Sequence, residues 1–456
     1  MALATGCAGS APPAIRYEIP DLAWTEPTAR AAAEQAPAHL GQLLGDPRLT
    51  QLIDTALANN PEIGIAAARV ERVRAELISL RQQGLPEVSA EAGIGREFRR
   101  SSGQTLDFRS GQVQLDIAWE PDLFGRIRAE NRAGLARARA AEWERAAVEQ
   151  AIVAQVARAW VQRATLNRRL QIYDEVIARS EELERIVRVR HAAGAATRVE
   201  LGLQTIRVLE LRQRRKELEQ SLDRTRTALA QLTGAPAPGF LAADPLPAEL
   251  SLPDLQPPPP RQLLALRPDI LAAEARIRAT DGDAQAARAA FFPRLSLSFV
   301  GMVEALGGQP TTQSLSLGSS LLAPIFDLGR LRRNLAVARA DQLEAAEDYR
   351  RTILAALGEV EDLLKARSLI AQRSRIIAQI TAESSLTARL GKAQYLEGEE
   401  DLRTLIDADE LLSEAEEAQI LAWEEQLLAE IALYQAIGAR AAISAPAPDA
   451  ERSASN

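Results

Sequence analysis

The chain has 456 residues, a formal net charge of −8, 46% hydrophobic residues and only 4% aromatic residues. This composition is typical of long helices rather than of a compact sandwich of sheets. Because there is no basic block, the sequence disfavours a nucleic-acid partner, which requires a clustered cationic surface. Two histidines and one cysteine form no metal-ligand motif, and no nucleotide-binding or nucleophile motif is found. We therefore expect no enzyme, no cofactor and no metal site.

The N-terminal segment, residues 1–44, is expected to be a lipid-anchor segment followed by an extended arm. Cys7 lies in a stretch of small residues that resembles the end of a bacterial lipoprotein signal. The charged and apolar parts of such a signal do not precede it here. Lipidation of Cys7 is one hypothesis, and a lone surface cysteine in a flexible terminus is the alternative.

The rest of the chain is a duplicated unit. Asn60-Pro61 corresponds to Arg267-Pro268, which is 268 − 61 = 207 residues later. Three glycines recur 204 residues later, so that Gly125, Gly194 and Gly234 correspond to Gly329, Gly398 and Gly438. The repeats span residues 45–234 and 261–439, with a proline-rich linker at 235–260 and a disordered tail at 440–456. A fixed internal offset of this kind indicates a duplicated architecture.

Each repeat opens with a helix, which a proline ends, and continues into two segments with alternating apolar and polar residues. The alternation predicts strands at about 87–98 and 111–120, and at about 294–304 and 313–323. Glu91 and Asp116 lie on the polar phase. No run of 18 apolar residues predicts a transmembrane helix. Four strands could form a small soluble sheet, but they cannot close on themselves in a membrane without partners.

Very long helical patterns follow the strands. They run from about Arg126 to Arg190 and from about Arg330 to Leu390, and contain no proline. At 1.5 Å per residue, such helices span roughly 100 Å. Each turns at a glycine and returns as a shorter helix, over Thr197–Leu232 and Asp401–Ile437. The sequence of each repeat therefore predicts a long antiparallel helical hairpin.

This order of elements resembles the outer membrane efflux proteins, the TolC-like family, and in particular its lipoprotein branch of OprM and NodT type. Several motifs carry the resemblance, over about residues 40 to 440. The two strand-to-helix junctions are Trp119–Arg126 (WEPDLFGR) and Pro324–Arg330 (PIFDLGR). The entry to the second repeat comprises Arg267–Ile270 (RPDI) and Ala286–Pro293 (AARAAFFP). The two hairpin tips are Arg190–Gly194 (RHAAG) and Gln394–Gly398 (QYLEG).

The resemblance implies a mainly α fold with a membrane β-barrel, in which a homotrimer builds twelve strands from four per chain. The helical hairpins would join into a periplasmic tunnel beneath the outer membrane of a Gram-negative bacterium. The implied function is the exit duct of a tripartite efflux pump for drugs or other small molecules. Its implied partners are a periplasmic adaptor protein, an inner-membrane RND-type pump and outer membrane lipid.

The resemblance also implies roles for individual residues. Asp407 would lie in a periplasmic gate, as one of three carboxylates that attract cations, with Arg403 one helical turn before it. The adaptor would contact the hairpin tips, at Gly194, Ala195, Gly398, Glu399 and Glu400. The strand-to-helix junctions would turn at Gly125, Arg126, Gly329 and Arg330. Without the resemblance, Asp407 would be interpreted as a solvated charge on a helix face.

Some features depart from the family and leave alternatives open. The tips have alanines or acidic residues where the family often has Val, Leu or Thr beside the glycine, and Gln394 replaces an expected arginine. The acidic second tip suggests an adaptor with basic hairpin ends. A conduit for type I protein secretion is the alternative within the export class. A soluble coiled-coil scaffold is the alternative from a different class, although it leaves the four alternating segments unexplained.

Overall fold

The computed structural model describes residues 24–25, 40–101, 104–236, 250–253, 255–306 and 310–438. Cys7, nearly all of the predicted N-terminal arm, most of the proline-rich linker and the tail at 440–456 lie outside these ranges.

The two repeats contain the same elements in the same order. The first follows a short helix α1 (Leu40–Leu43) and comprises α2 (Pro47–Asn59), α3 (Pro61–Gln82), β1 (Glu87–Ser101), β2 (Gln104–Trp119), α4 (Arg126–Ala192) and α5 (Arg198–Leu232). The second comprises α6 (Pro260–Leu266), α7 (Pro268–Ala289), β3 (Arg294–Leu306), β4 (Thr312–Leu322), α8 (Leu328–Glu397) and α9 (Leu402–Ala436). In both repeats a proline begins the helix before the strands, where its missing N–H would be unpaired in any case.

Residues 99–101 lie beyond the expected end of the first strand at about residue 98 but belong to β1. They pair with the start of β2, with Arg99 opposite Leu106 and Arg100 opposite Thr105. Strand pairing therefore continues beyond the apolar alternation, because backbone hydrogen bonds across a hairpin do not require apolar side chains. The long helix α8 also continues beyond the expected Leu390, to Glu397.

The four strands form one antiparallel sheet in the order β1-β2-β3-β4. Its register places most of the apolar residues of the four strands on one face: Val88, Ala90, Ala92, Ile94, Val113, Leu115, Ile117, Trp119, Leu295, Leu297, Phe299, Val303, Leu315, Leu317 and Leu321. The opposite face is mostly polar and carries Ser89, Glu91, Gln112, Gln114, Asp116, Ser296, Ser298, Glu304, Thr312, Ser314, Ser316 and Ser320, together with the apolar Val300, Met302 and Leu322. Within the described ranges the outer edges of β1 and β4 have no strand partner.

None of the helices in the described part of the chain has the length and apolar character needed to cross a membrane.

The chain divides into two compact units. The first includes residues 67–144 and 269–353 and holds the sheet. Its helices α4 and α7 approach closely, since a Cβ added to Gly282 would lie 2.9 Å from the Ala133 backbone nitrogen. The second unit includes the described residues within 19–66, 145–268 and 354–438. Its core contains Trp160 and Tyr434, both about 1% exposed, and the Trp160 indole N–H donates to Asp46 Oδ2 at 2.7 Å.

In both repeats, the residue that precedes the helix leading to the strands donates a hydrogen bond to the last residue of the return helix, within the second unit. The Asn60 amide donates to the carbonyl of Leu232 at 2.8 Å, and the Arg267 guanidinium donates to the carbonyl of Ala436 at 2.8 Å. These pairs are equivalent under the offsets found in the sequence, since 60 + 207 = 267 and 232 + 204 = 436. Each donor pairs with a terminal helix carbonyl that has no partner within its own helix.

Candidate functional site

The first strand-to-helix junction is a left-handed turn followed by a capped helix. Gly125 has φ of +78°, which suits glycine because it has no Cβ. The Asp122 carboxylate accepts hydrogen bonds from the backbone N–H groups of Ile127 and Arg128, at 3.3 and 2.8 Å. Arg126 lies between two carboxylates, 2.8 Å from Glu120 and 2.9 Å from Glu130. This arrangement fixes the direction in which α4 leaves β2.

The second junction is built differently. Gly329 already lies inside α8, which begins at Leu328. Arg330 forms an ion pair with Asp327, three residues earlier. The resemblance between the two junction motifs therefore does not extend to the backbone conformation of their glycines.

The two hairpin tips have similar backbones. Gly194 and Gly398 have φ of +76° and +80°. Ala195 N–H donates to the carbonyl of Arg190 at 2.8 Å, and Glu399 N–H donates to the carbonyl of Gln394 at 2.9 Å. These bonds satisfy carbonyls at the end of each long helix, as in a Schellman motif.

The return helices start with side-chain caps. Thr197 and Glu200 form a capping box at the start of α5. The Asp401 carboxylate accepts from Thr404 N–H at 2.8 Å at the start of α9. Hydrogen bonds from Thr404 lower the pKa of Asp401, and hydrogen bonds from Thr197 lower the pKa of Glu200. The carboxylates of Asp401 and Glu200 therefore remain charged at any pH above the ordinary range of a carboxyl group.

The tips pack against each other inside the second unit. A small apolar cluster joins Val187 on α4, Tyr395 on α8, and Leu402 and Leu405 on α9. The Arg190 guanidinium lies over the Tyr395 ring, 4.9 Å from its centroid. The sequence contained no signal for this cluster, because its members lie about 200 residues apart and come from different repeats.

Asp407 is a largely exposed side chain on α9, with 65% of its surface accessible. Arg403 lies 3.9 Å away and is 88% exposed, so the pair is a weak surface contact. Asp409 faces a different neighbour and lies 3.3 Å from Arg179 on α4. Asp407 is therefore free to face another surface, and its role in a gate stays a prediction.

A group of ion pairs joining α9 to the first repeat was not predicted. Arg179 contacts both Asp409 and Glu416, the latter at 3.1 Å. Arg207 on α5 contacts Glu410 at 3.0 Å. Glu417 pairs with Arg169 and accepts from the Tyr173 hydroxyl at 3.1 Å. Long-range charge pairing leaves no periodic pattern in the sequence, so only the folded chain identifies these partners.

Among the described residues, no three His, Cys, Asp or Glu side chains meet as metal ligands would. On the polar face of the sheet, Glu91 is opposite Gln114, and the Gln114 amide donates to both oxygens of Asp116 at 2.9 Å. Glu91 and Asp116 thus share a face, as their sequence phase predicted.

This fold, with two repeats of helix, β-hairpin and long helical hairpin, defines a class of outer membrane export channels. The chain belongs to the outer membrane efflux protein family, whose model matches residues 52–235 and 260–439. It is 31% identical over 447 residues to the pyoverdine export outer membrane protein OpmQ of Pseudomonas putida, covering 95% of this chain and 94% of that protein. It is 32% identical to the outer membrane protein OprJ of Pseudomonas aeruginosa, covering 96% and 94% of the two chains.

Solved structures of outer membrane channels also have the same fold as this chain. The outer-membrane channel OprN superposes with a TM-score of 0.83 at 27% identity, over 93% of this chain and 98% of that one. The open state of the MtrE channel of Neisseria gonorrhoeae gives a TM-score of 0.81 at 26% identity, over 93% and 97%. The predicted family, fold class, outer membrane location and function as an efflux channel are confirmed. The relatives are efflux channel proteins rather than enzymes.

Proposed function

We propose that three copies of the chain form one duct, through which small organic molecules leave the cell passively. Each copy contributes four strands to a closed sheet of twelve strands in the outer membrane. The helical hairpins of the three copies line the periplasmic part of the duct. An inner-membrane pump of RND type supplies the energy, and a periplasmic adaptor protein joins the pump to the duct. The duct itself performs no chemistry.

The sheet is the observation that carries this proposal. Its apolar face is exposed, and Leu317 on it is 84% accessible. Its opposite face is polar, and its two edge strands have no partner in the described part of the chain. In a membrane every backbone N–H and C=O needs a partner, so the open edges require other strands. Copies of the same chain supply them with the same alternation of faces.

Small organic molecules are the proposed cargo. Among the relatives named for their cargo, OpmQ exports pyoverdine and the TtgI and TtgC proteins of Pseudomonas putida belong to toluene efflux pumps. These names favour small-molecule export over a conduit for secreted proteins.

The two tips are the proposed docking surface for the adaptor, and the acidic residues Glu399 and Glu400 favour an adaptor with basic hairpin ends.

Cys7 is proposed as a lipid attachment site that holds the N-terminal segment to the membrane. The motif around Cys7 supports this proposal. Mass spectrometry of the protein purified from membranes tests it, since lipidation adds the mass of acyl chains to the N-terminal peptide. A Cys7→Ser variant that retains the same added mass would contradict it.

Asp407 is proposed as part of the gate that keeps the duct closed at rest. Three exposed carboxylates on one axis attract cations and bind the positively charged groups of neighbouring copies. Asp407→Ala is expected to increase the open probability or conductance of single channels several-fold in planar bilayers. Asp341→Ala, which removes another exposed carboxylate, is the matched control on α8.

Each result of this experiment has a clear meaning. Cation-selective currents that increase in Asp407→Ala, and do not change in Asp341→Ala, support both the duct and the gate. Identical currents in wild type, Asp407→Ala and Asp341→Ala would support the duct but contradict the role of Asp407 in a gate. A chain that never inserts into bilayers and remains in water without detergent would favour the coiled-coil scaffold.

A further inference from the structure

A cavity of about 550 Å³ opens beside the first strand-to-helix junction. It is lined by Phe124, Gly125, Arg128, Asn131, Arg132 and Gln285. Helix α4, which contributes Arg128, Asn131 and Arg132, follows β2, and α7, which contributes Gln285, leads into β3. Because β2 and β3 are the inner pair of the sheet, the cavity lies away from the edges where another copy would pair.

The cavity carries positive charge that the protein does not fully neutralise. Arg132 donates to the neutral Gln285 side chain at 2.8 Å and has no carboxylate partner within the described residues. Arg128 lies 3.2 Å from Asp122 but is 70% exposed, so several of its N–H donors remain available. The buried Asn131 Oδ1 has no hydrogen-bond partner among the described residues. Arg128 and Arg132 could hold a compact anion by charge-assisted hydrogen bonds, whereas Asn131 Oδ1 is an acceptor and contributes nothing to the binding of an anion.

An apolar surface lies next to these charges. The rings of Phe124 and Phe292 stack with their centroids 4.9 Å apart, yet 46% and 45% of the two residues are exposed. Trp119, the last residue of β2, belongs to the apolar face of the sheet. Aromatic side chains and arginines at the end of an apolar membrane face are typical of the level of lipid headgroups. The ligand that fits is therefore an anion attached to an apolar body.

The second repeat retains only part of this chemistry, since Arg128 corresponds to Arg332 but the other polar lining residues are replaced. Under the offsets of 204 and 207, Arg132 corresponds to Ala336, Asn131 to Leu335, and Gln285 to Ile78. Since both repeats build the same fold, the fold does not require the polar lining. A polar lining found at only one of the two equivalent junctions indicates a role other than building the fold.

We propose that this cavity binds the phosphate of a glycerophospholipid from the periplasmic leaflet of the outer membrane, one per chain. Arg128 and Arg132 donate to the phosphate oxygens, and the stacked rings of Phe124 and Phe292 contact the glycerol and the upper acyl chains. The bound lipid fixes the depth of the junction in the membrane. This inference rests on the proposed position of the sheet in the outer membrane, and on the proposed trimer for the number of lipids per particle.

Native mass spectrometry of the full-length protein tests the site, after delipidation in detergent and titration with phosphatidylglycerol. Saturation at one lipid per chain is expected for wild type. The double variant Arg128→Gln/Arg132→Gln is expected to bind about 30-fold more weakly. The control Arg332→Gln/Arg333→Gln removes the same charge at the second junction and should bind like wild type. Diacylglycerol, which lacks the phosphate, should not compete.

The outcomes are separable. Equal binding by both double variants, or equal binding of diacylglycerol, would overturn the site. Displacement of the lipid by water-soluble glycerol phosphate at equal concentration would overturn the assignment to a membrane lipid. The mass of the lipid-free particle reports the number of chains independently, so a wrong oligomeric state and an absent lipid site give different results.

Discussion

Gly234 and Gly438 occupy positions that no other residue can take without strain. Both have positive φ, of +69° and +70°, at the end of a return helix. A Cβ at Gly234 would lie 2.4 Å from the carbonyl oxygen of Asn59, and one at Gly438 would lie 2.9 Å from that of Leu266. The two close approaches are equivalent in the two repeats, so the same backbone contact closes each of them.

Gly234→Ala should lower the free energy of unfolding by about 1–3 kcal/mol, because it adds both strain at positive φ and a clash with backbone. Gly358→Ala is the matched control, since Gly358 lies in α8 with no atom within 4 Å of an added Cβ. The control should stabilise the helix by up to about 1 kcal/mol. Denaturant titration in detergent measures both, and equal effects would contradict the proposed contact.

Tyr434 carries a buried hydroxyl that has no hydrogen-bond partner in the described part of the chain. Tyr434→Phe is therefore expected to be neutral or to stabilise the protein by about 1 kcal/mol, because it removes an unsatisfied polar group. Burial raises the pKa of Tyr434 from 10.0 to about 12. The unfolded chain loses this proton first, so wild type should lose stability between pH 10 and about 12, where Tyr434→Phe should lose less. A stability loss on mutation at neutral pH would reveal a hidden partner for the hydroxyl.

The hairpin tips combine a rigid backbone with unequal charge. Each tip has a glycine at positive φ and a capped return helix, and Tyr395, Leu402 and Leu405 form part of a shared apolar cluster. The second tip also presents Glu399 and Glu400, for which the first tip has Ala195 and Ala196. Since the backbones are similar, the proposed contact with the adaptor would distinguish the two tips by this difference in charge.

Glu399→Lys/Glu400→Lys should reduce crosslinking to the cognate adaptor at least about tenfold, because like charges would then face each other. The hairpin should stay folded, since neither residue caps a helix or joins the apolar cluster. Glu344→Lys/Glu347→Lys is a control with the same change of charge, far from the tip along α8. Unchanged crosslinking by the tip variant would rule out an electrostatic contact there.

In the proposed trimer, folding into the membrane requires that the sheet has one apolar face and one polar face. Leu317 and Ser316 are neighbours on β4, but the register places them on opposite faces. Arginine at Leu317 should cost about 2–4 kcal/mol of folding into lipid, since it places a charge in the hydrocarbon. Arginine at Ser316 should be tolerated on the polar face. The yield of folded protein in the outer membrane distinguishes the two, and equal yields would contradict the assignment of the faces.

Much of this architecture was predictable because it rests on local periodicity. The alternation around Val113 and Leu115 predicts a strand, and Gly194 and Gly234 follow the ends of helices at the same spacing in both repeats. The equivalence of Asn60 with Arg267 followed from the same offset. The junction motifs and the tips identified the family, and the family supplied the channel function.

The remaining features needed the folded chain, because they depend on residues far apart in sequence. The register that places apolar residues of four strands on one face, the pairing of Arg179 with Asp409 and Glu416, and the contact of Arg190 with Tyr395 are long-range. The cavity beside Arg132 forms only because α4 and α7 approach each other. Periodicity along the chain thus determines which helices and strands exist, whereas their side-chain partners follow from tertiary packing, which brings distant residues within a few ångströms.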